Sequence, residues 1–367
     1  MKKNVFKIAA FVLLALTTSL ANAQTFSYPV KGQQGFHLTE KTRDGVHVTY
    51  NLGQFSMNQL NYRGEAMSEI SISAITLPNT AGCPNLPTES RMIAIPQGAK
   101  ATLKVVSYET ELIKDVNLAP ALRIQAEDET PDMNYVKDSK VYEKNAFYPE
   151  NPFVMDASYI RGVDVAAVAI TPFQYNPVTK ELLVYKNVEL SLTYEGGNGQ
   201  FGDDRLRSPY WDPILASQLA NYDQLPTIDY AARLQQWLRD DAEGAEYIIV
   251  TPNNDAWAEY ANQLKDHRMR QGIITKVYRL DEMPATTTNA MKAWFHNAYN
   301  TWEIAPVAVC LLGDHGTNMS QYIPAESVSH PYDGSCITDN GYADPSGDNL
   351  PDMVFSRLVA ETAEQLP

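Results

Sequence analysis

The chain has 367 residues and carries 44 acidic against 29 basic side chains, a formal charge of −15. Such an acidic chain is a poor partner for a phosphate backbone, which excludes nucleic-acid binding and leaves solubility or divalent cations to account for the acidity. The three cysteines, Cys83, Cys310 and Cys336, are too few for a disulfide framework and allow one bridge at most.

Lys2 and Lys3 precede an apolar run from Phe6 to Leu20, and Ala21-Asn22-Ala23 forms a small-x-small cleavage site before Gln24. This predicts a secretory signal peptide over residues 1–23 rather than a membrane span, because the apolar run is short and a polar mature sequence follows it. Residues 24–200 read as a β-rich sandwich. Strand-like runs lie at Val46–Tyr50, Ala101–Val106 and Val163–Ile170, and prolines punctuate the segment. Leu182–Tyr185 and Val188–Tyr194 read as a hairpin turning at Lys186-Asn187, with Val188, Leu190, Leu192 and Tyr194 on one face. Residues 201–244 read as a polar linker and processing region, with Arg205, Arg207, Arg233 and Arg239 accessible along it.

From residue 245 the period changes. Tyr247–Val250, Ile273–Leu280, Pro306–Leu312 and Met353–Phe355 are short apolar runs that alternate with helical patterns. Asp255 is the expected cap of the first helix, Gly272 its end, and Thr287 or Thr288 the cap of the second. Strands alternating with amphipathic helices predict a parallel α/β sheet with helices on both faces over residues 245–367. A further helix expected to start at Thr362 is interrupted at Pro367, so the chain reads as the N-terminal portion of a longer protein.

Ligands of such sheets gather at the carboxyl ends of the strands. Gly313-Asp314-His315 places one carboxylate there, and the following loop supplies Asp339, Asp344, Asp348 and Asp352. Calcium takes carboxylate and carbonyl oxygens from irregular loops, so the loop reads either as a calcium site completed by Asp314 or as a solvated acidic turn. It is not an EF-hand, because that motif's ligand spacing is missing. His315 with Cys336 is a candidate nucleophile dyad; the plainer alternative makes His315 a local hydrogen-bonding group. His267 and His296 lie on helices. No phosphate-binding or dinucleotide glycine fingerprint occurs.

Several short segments, in order and spacing, resemble the gingipain family of secreted cysteine peptidases. In the first half these are Cys83-Pro84-Asn85-Leu86-Pro87, Ile95-Pro96-Gln97-Gly98-Ala99, Tyr159-Ile160-Arg161-Gly162 and Pro172–Thr179. In the second they are Tyr247–Val250, Leu311–His315, Thr338–Tyr342 and Pro351–Arg357. The resemblance implies a β-rich prodomain that keeps a peptidase latent, acting as an intramolecular inhibitor, followed by the first subdomain of a caspase-like catalytic domain. It places the catalytic histidine, in a Gly-His-Gly context, and the nucleophilic cysteine in a second subdomain. No catalytic residue is therefore carried over, and the 367 residues alone are expected to be inactive. For arginine-specific members it implies a structural calcium, which falls here on Asp314, Asp348 and Asp352, the Leu350 carbonyl and, as an extra ligand, Asp344. Processing is then expected after Arg233 or Arg239, and the substrates are proteins or peptides. A non-catalytic secretion-system component or a sortase-like transpeptidase on the same fold is the alternative.

Overall fold

The computed structural model describes residues 23–123, 135–283, 287–330 and 334–366. The expected signal peptide, apart from Ala23, lies outside the described residues. Among those residues no helix is long and apolar enough to cross a membrane.

The first half is β-rich, as expected. Its strands are β1 (Ala23–Ser27), β2 (Gly35–Lys41), β3 (Gly45–Asn51), β4 (Gln54–Tyr62), β5 (Glu65–Ser71), β6 (Glu89–Ala94), β7 (Ala99–Ile113), β8 (Phe153–Ile160), β9 (Val163–Ile170), β10 (Phe173–Asn176) and β11 (Glu181–Gly196). They form antiparallel sheets in the orders β1-β4-β5, β10-β11-β3-β2 with β7 also on β11, and β6-β9-β8. One core joins them, with Val48, Val165, Phe173, Val184 and Leu190 fully enclosed. β9 reads Val-Asp-Val-Ala-Ala-Val-Ala-Ile because it is flanked by strands on both sides and covered on both faces.

The hairpin expected at Lys186-Asn187 is not formed; residues 181–196 make one strand. The 15-residue β7 acts as a template for both halves, pairing Leu182–Lys186 with Glu109–Ile113 and Glu189–Gly196 with Ala99–Ser107. Asn187, at φ 47°, is absorbed as a bulge between them. The apolar alternation of Val188, Leu190, Leu192 and Tyr194 holds, all four being buried.

The connector also departs from expectation. A short helix, α1 (Ser139–Tyr142), precedes it, and residues 201–244 then contain α2 (Asp212–Gln218) and α3 (Tyr230–Asp240). Phe201, Trp211, Leu215 and Leu219 are buried in the β core, and Leu206 in the core of the second half. Arg207 is 3 % exposed and grips Asp212 through two hydrogen bonds of 2.6 and 2.8 Å. Arg205 donates to the carbonyls of Tyr299 and Trp302. These polar partners fix both arginines in place. Arg239 remains exposed, at 72 %.

The second half is a parallel sheet of β12 (Tyr247–Thr251), β13 (Thr275–Arg279), β14 (Ala308–Leu312) and β17 (Val354–Leu358), in the order β13-β12-β14-β17. Between the last two in sequence lie β15 (Glu326–His330) and β16 (Gly334–Thr338), which pair with each other as a hairpin. α4 (Ala258–Arg270) packs on one face through Trp257 and Ala261 with Ile249 and Cys310. α5 (Thr288–Thr301) packs on the other through Met291, Phe295 and Tyr299 with Ile248 and Val309. Thr287 caps α5. The cap at the start of the α4 segment is Asn254, one residue before the expected Asp255. A one-turn helix, α6 (Asn340–Ala343), follows β16, and the segment after Thr362 is a 3₁₀ turn at Ala363–Gln365.

Candidate functional site

Parallel strands give the sheet two chemically distinct edges. At the carboxyl edge, Asp314 follows β14; its Oδ1 accepts the His315 backbone N–H at 2.7 Å and the His315 ring Nδ1–H at 2.9 Å. These bonds, led by the backbone one, hold the Asp314 carboxyl below its usual range. Arg357 reaches this edge from β17. It forms a bidentate pair with Asp339 at 2.7 and 2.9 Å and donates to the carbonyls of Gly313, Ile323 and Pro324. Five bonds from one guanidinium make Arg357 the tie between β17 and the loops above the sheet.

The amino edge carries the acidic loop. Asp352 lies two residues before β17, where its backbone N–H donates to the Ala343 carbonyl. Asp344 accepts backbone N–H bonds from Gly347, Asp348 and Asn349, which close the loop on itself. Asp348 accepts from the Leu350 N–H on one oxygen and from the Ser158 hydroxyl and Tyr159 N–H on the other. Asp352 Oδ1 accepts the Arg161 N–H at 2.7 Å. Its Oδ2, beside Ser346, is buried without a well-aligned partner. Burial accordingly raises the Asp352 carboxyl, against the pull of the Arg161 N–H.

Ser158, Tyr159 and Arg161 all belong to the β8–β9 hairpin of the first half. Its turn is Arg161-Gly162, with φ of 38° and 77°, left-handed at both positions as a two-residue turn requires. The Arg161 side chain, 1 % exposed, leaves this turn and enters the second half. Nη1 donates to the carbonyls of Asp352 at 2.7 Å and Pro306 at 3.1 Å. The guanidinium lies 5.0 Å from the Trp211 ring centre and 5.6 Å from that of Tyr299.

The five residues expected to bind calcium therefore do not converge. The loop places Asp344, Asp348 and Leu350 near Asp352, whereas Asp314 is elsewhere. β14 and β17 run parallel with Ala308 opposite Val354, so Asp352 is level with Pro306 and Asp314 is eight residues further along. At about 3.3 Å per residue the two positions are roughly 26 Å apart along the strand direction. One ion needs its oxygens at about 2.3–2.6 Å and cannot bridge them. Among the described residues no group of three or more His, Cys, Asp and Glu is arranged to hold a metal. The carboxylates of the loop instead serve its own backbone and the β8–β9 hairpin.

The cysteines and histidines are also separate. Cys336 is on β16 opposite Val328, in a strand rather than the expected loop, while the His315 ring is turned to Asp314. Cys310 is buried, and burial raises its thiol, with Tyr247 and Ser356 opposing weakly. The His296 Nε2 bonds the Gly341 carbonyl at 2.9 Å, joining α5 to α6. In the sequence Arg161 stands out only within the family-like segment Tyr159-Ile160-Arg161-Gly162. The available signal was an Arg-Gly pair between two strand-like runs, which marks a turn but not its burial.

Residues 35–223 match the profile Propeptide_C25, and residues 240–367 match Peptidase family C25. The chain belongs to this family, the gingipain-type cysteine peptidases with their prodomain. Lys-gingipain of Porphyromonas gingivalis is 25% identical over 338 residues, covering 87% of this chain and 18% of that protein. Gingipain R2 of the same organism is 24% identical over 380 residues, covering 100% of this chain and 48% of its own length. The chain thus spans under half the length of these relatives. Among solved structures, the complex of Porphyromonas gingivalis RgpB pro- and mature domains has 23% identity and a TM-score of 0.46, covering 52% of this chain and 99% of that one. The structure addressing zymogenic latency of gingipain K has 19% identity and a TM-score of 0.42, covering 48% of this chain and all of that one.

Proposed function

We propose that these residues are the propeptide and the first catalytic subdomain of an exported cysteine endopeptidase, with the β half acting as its intramolecular inhibitor. The observation that carries the reading is the tandem of propeptide and peptidase profiles on two halves that share a buried interface. In the whole enzyme a cysteine thiolate attacks the peptide carbonyl, and a histidinium returns its proton to the departing amine. An acyl-enzyme forms, and water then cleaves it. Neither group is assigned here: Cys310 is buried in the sheet, and His315 is turned to Asp314 rather than to a thiol. On this reading the 367 residues alone are expected to be inactive. Processing after Arg239 is favoured over Arg233, because Arg239 is exposed while Arg233 donates to the Asp204 and Arg207 carbonyls. The signal-like N-terminus, with Lys2 and Lys3 before the apolar Phe6–Leu20 run, supports export. Calcium has no place in this reading as a site shared with Asp314.

The test is peptide hydrolysis by the full-length precursor before and after removal of the β half. Hydrolysis that appears on removal and is blocked by a thiol reagent is expected. Acyl transfer to an added amine without net hydrolysis would point to a transpeptidase. Absence of any thiol-dependent turnover would remove the enzyme reading.

A further inference from the structure

Among the described residues β8 is an edge strand, paired with β9 alone. Edge strands expose every second N–H, and such groups need partners when they are covered. Here the outward N–H groups of Tyr159 and Arg161 are taken by the Asp348 and Asp352 carboxylates. The Arg161 side chain continues past them to two main-chain carbonyls that belong to no propeptide residue, those of Pro306 and Asp352. Tyr299 on α5 supplies one aromatic wall and Trp211 the other. The turn itself is clamped from behind. The Gly162 carbonyl accepts the Asp203 N–H at 2.7 Å, and a Cβ at Gly162 would meet the Leu206 side chain at 2.9 Å. All of this sits at the amino edge of the parallel sheet, at the opposite end of the strands from Asp314 and Arg357.

We propose that the acidic loop, the Pro306 carbonyl and Tyr299 form a receptor for an arginine presented on a tight β-turn. Arg161 is then the anchor that retains the propeptide on the catalytic subdomain once the connection between them is cut. The inference rests on the reading of the β half as a propeptide and adds where it holds on. Cutting the connector does not by itself release the β half, because the anchor lies outside the connector and away from the carboxyl edge. The receptor is selective for arginine. The arginine Nη1 donates to both carbonyls while the delocalised guanidinium lies 5.0 and 5.6 Å from the two ring centres; a lysine ammonium is a more strongly hydrated point charge that is costlier to enclose there. The carboxylates add the turn's N–H groups to the recognition, so the receptor reads an arginine together with the backbone that carries it.

The experiment places a recognition sequence for a specific protease after Asp241, at the exposed end of α3, and cuts the otherwise intact chain. Association of the two pieces is followed by size-exclusion chromatography and by dilution. The wild-type pieces are expected to co-elute. Arg161→Ala is expected to weaken association about 100-fold, and Arg161→Lys and Tyr299→Leu roughly 10-fold each, as loss of a buried anchor does. Circular dichroism of the uncut variants checks folding, and where Arg161→Ala disturbs it the other two variants decide. Wild-type pieces that separate on cutting, or variants that associate as tightly as wild type, overturn the proposal. The readout is association, so it stands or falls separately from whether the whole precursor hydrolyses peptides.

Discussion

The Arg207–Asp212 pair makes a quantitative test of the claim that the connector is a built element. Both side chains are largely buried, Arg207 at 2 % and Asp212 at 12 % exposure. Tyr222 and Tyr230 donate to the same carboxylate at 3.1 and 2.6 Å. Asp212→Asn removes the charge and leaves a buried guanidinium unbalanced. Breaking one side of a buried pair costs about 3–5 kcal/mol, and the retained Pro226 carbonyl and Tyr222 ring favour the lower figure. About 3 kcal/mol lowers the unfolding temperature of a unit of this size by roughly 10 °C. The pH dependence has a definite sign. Burial pushes the Asp212 carboxyl up, but the Arg207 and tyrosine bonds outweigh it, and the folded carboxyl lies below its usual value of 3.8. The stabilisation is therefore complete above that value and is lost as pH falls from there through the folded value. Urea unfolding between pH 7 and pH 2, followed by circular dichroism, reads both effects. In that acidic window the wild type should lose up to about 1.4 kcal/mol per pH unit that Asp212→Asn does not lose. The double change Arg207→Met with Asp212→Leu, which replaces the pair by apolar groups, should recover most of the loss at neutral pH. A cost below about 1 kcal/mol for Asp212→Asn, with an unchanged acid profile, would refute the reasoning.

Three further outcomes follow from the geometry. With Cys83 and Cys310 buried and Cys336 partly exposed, iodoacetamide should alkylate Cys336 well before the other two in the native chain, as read by peptide mass mapping; equal rates would contradict the placement of Cys310 inside the sheet. Gly244, at φ 122°, approaches so closely that a Cβ would sit 2.3 Å from the Ile304 carbonyl oxygen. Gly244→Ala should therefore cost about 2–3 kcal/mol in thermal unfolding, from strain and overlap together, and a neutral effect would show that β12 enters the sheet by another path. Asp314→Ala should leave any calcium-induced shift in unfolding temperature unchanged, since Asp314 and the acidic loop lie at opposite edges; selective loss of that shift would restore Asp314 to a shared site.

The parallel sheet was legible because its signals are local. Tyr247–Thr251 and Ala308–Leu312 are apolar enough for strands covered on both faces, and Thr287 stands one turn before the α5 stripe. Two errors came from reading local signals where distant partners decide. Lys186-Asn187 has turn chemistry, but β7 is long enough to pair with both flanking segments, and the added ladder bonds outweigh the local preference. Residues 201–244 have a linker's polarity on average. Trp211, Leu215 and Leu219 nevertheless anchor them in the β core at a spacing of four, which is a helical signal.

The predicted topology already separates Asp314 from the acidic loop. Asp314 follows its strand and Asp352 precedes its own, so parallel strands must place them at opposite edges whatever their distance in sequence. The acidity of the loop has another cause. An edge strand that is covered must lend its outward N–H groups to acceptors, and among the described residues β8 has no further strand to supply them. Carboxylates do this from a loop without extending the sheet, as Asp348 and Asp352 do here. Arg161, carried on the same hairpin and fully enclosed, brings its charge near Asp352, while its side-chain bonds go to main-chain carbonyls. Sequence alone gives no sign of this, because an arginine at a hairpin turn ordinarily keeps its head in water. The burial of Arg161 follows from two halves of the chain meeting, and neither half encodes it separately.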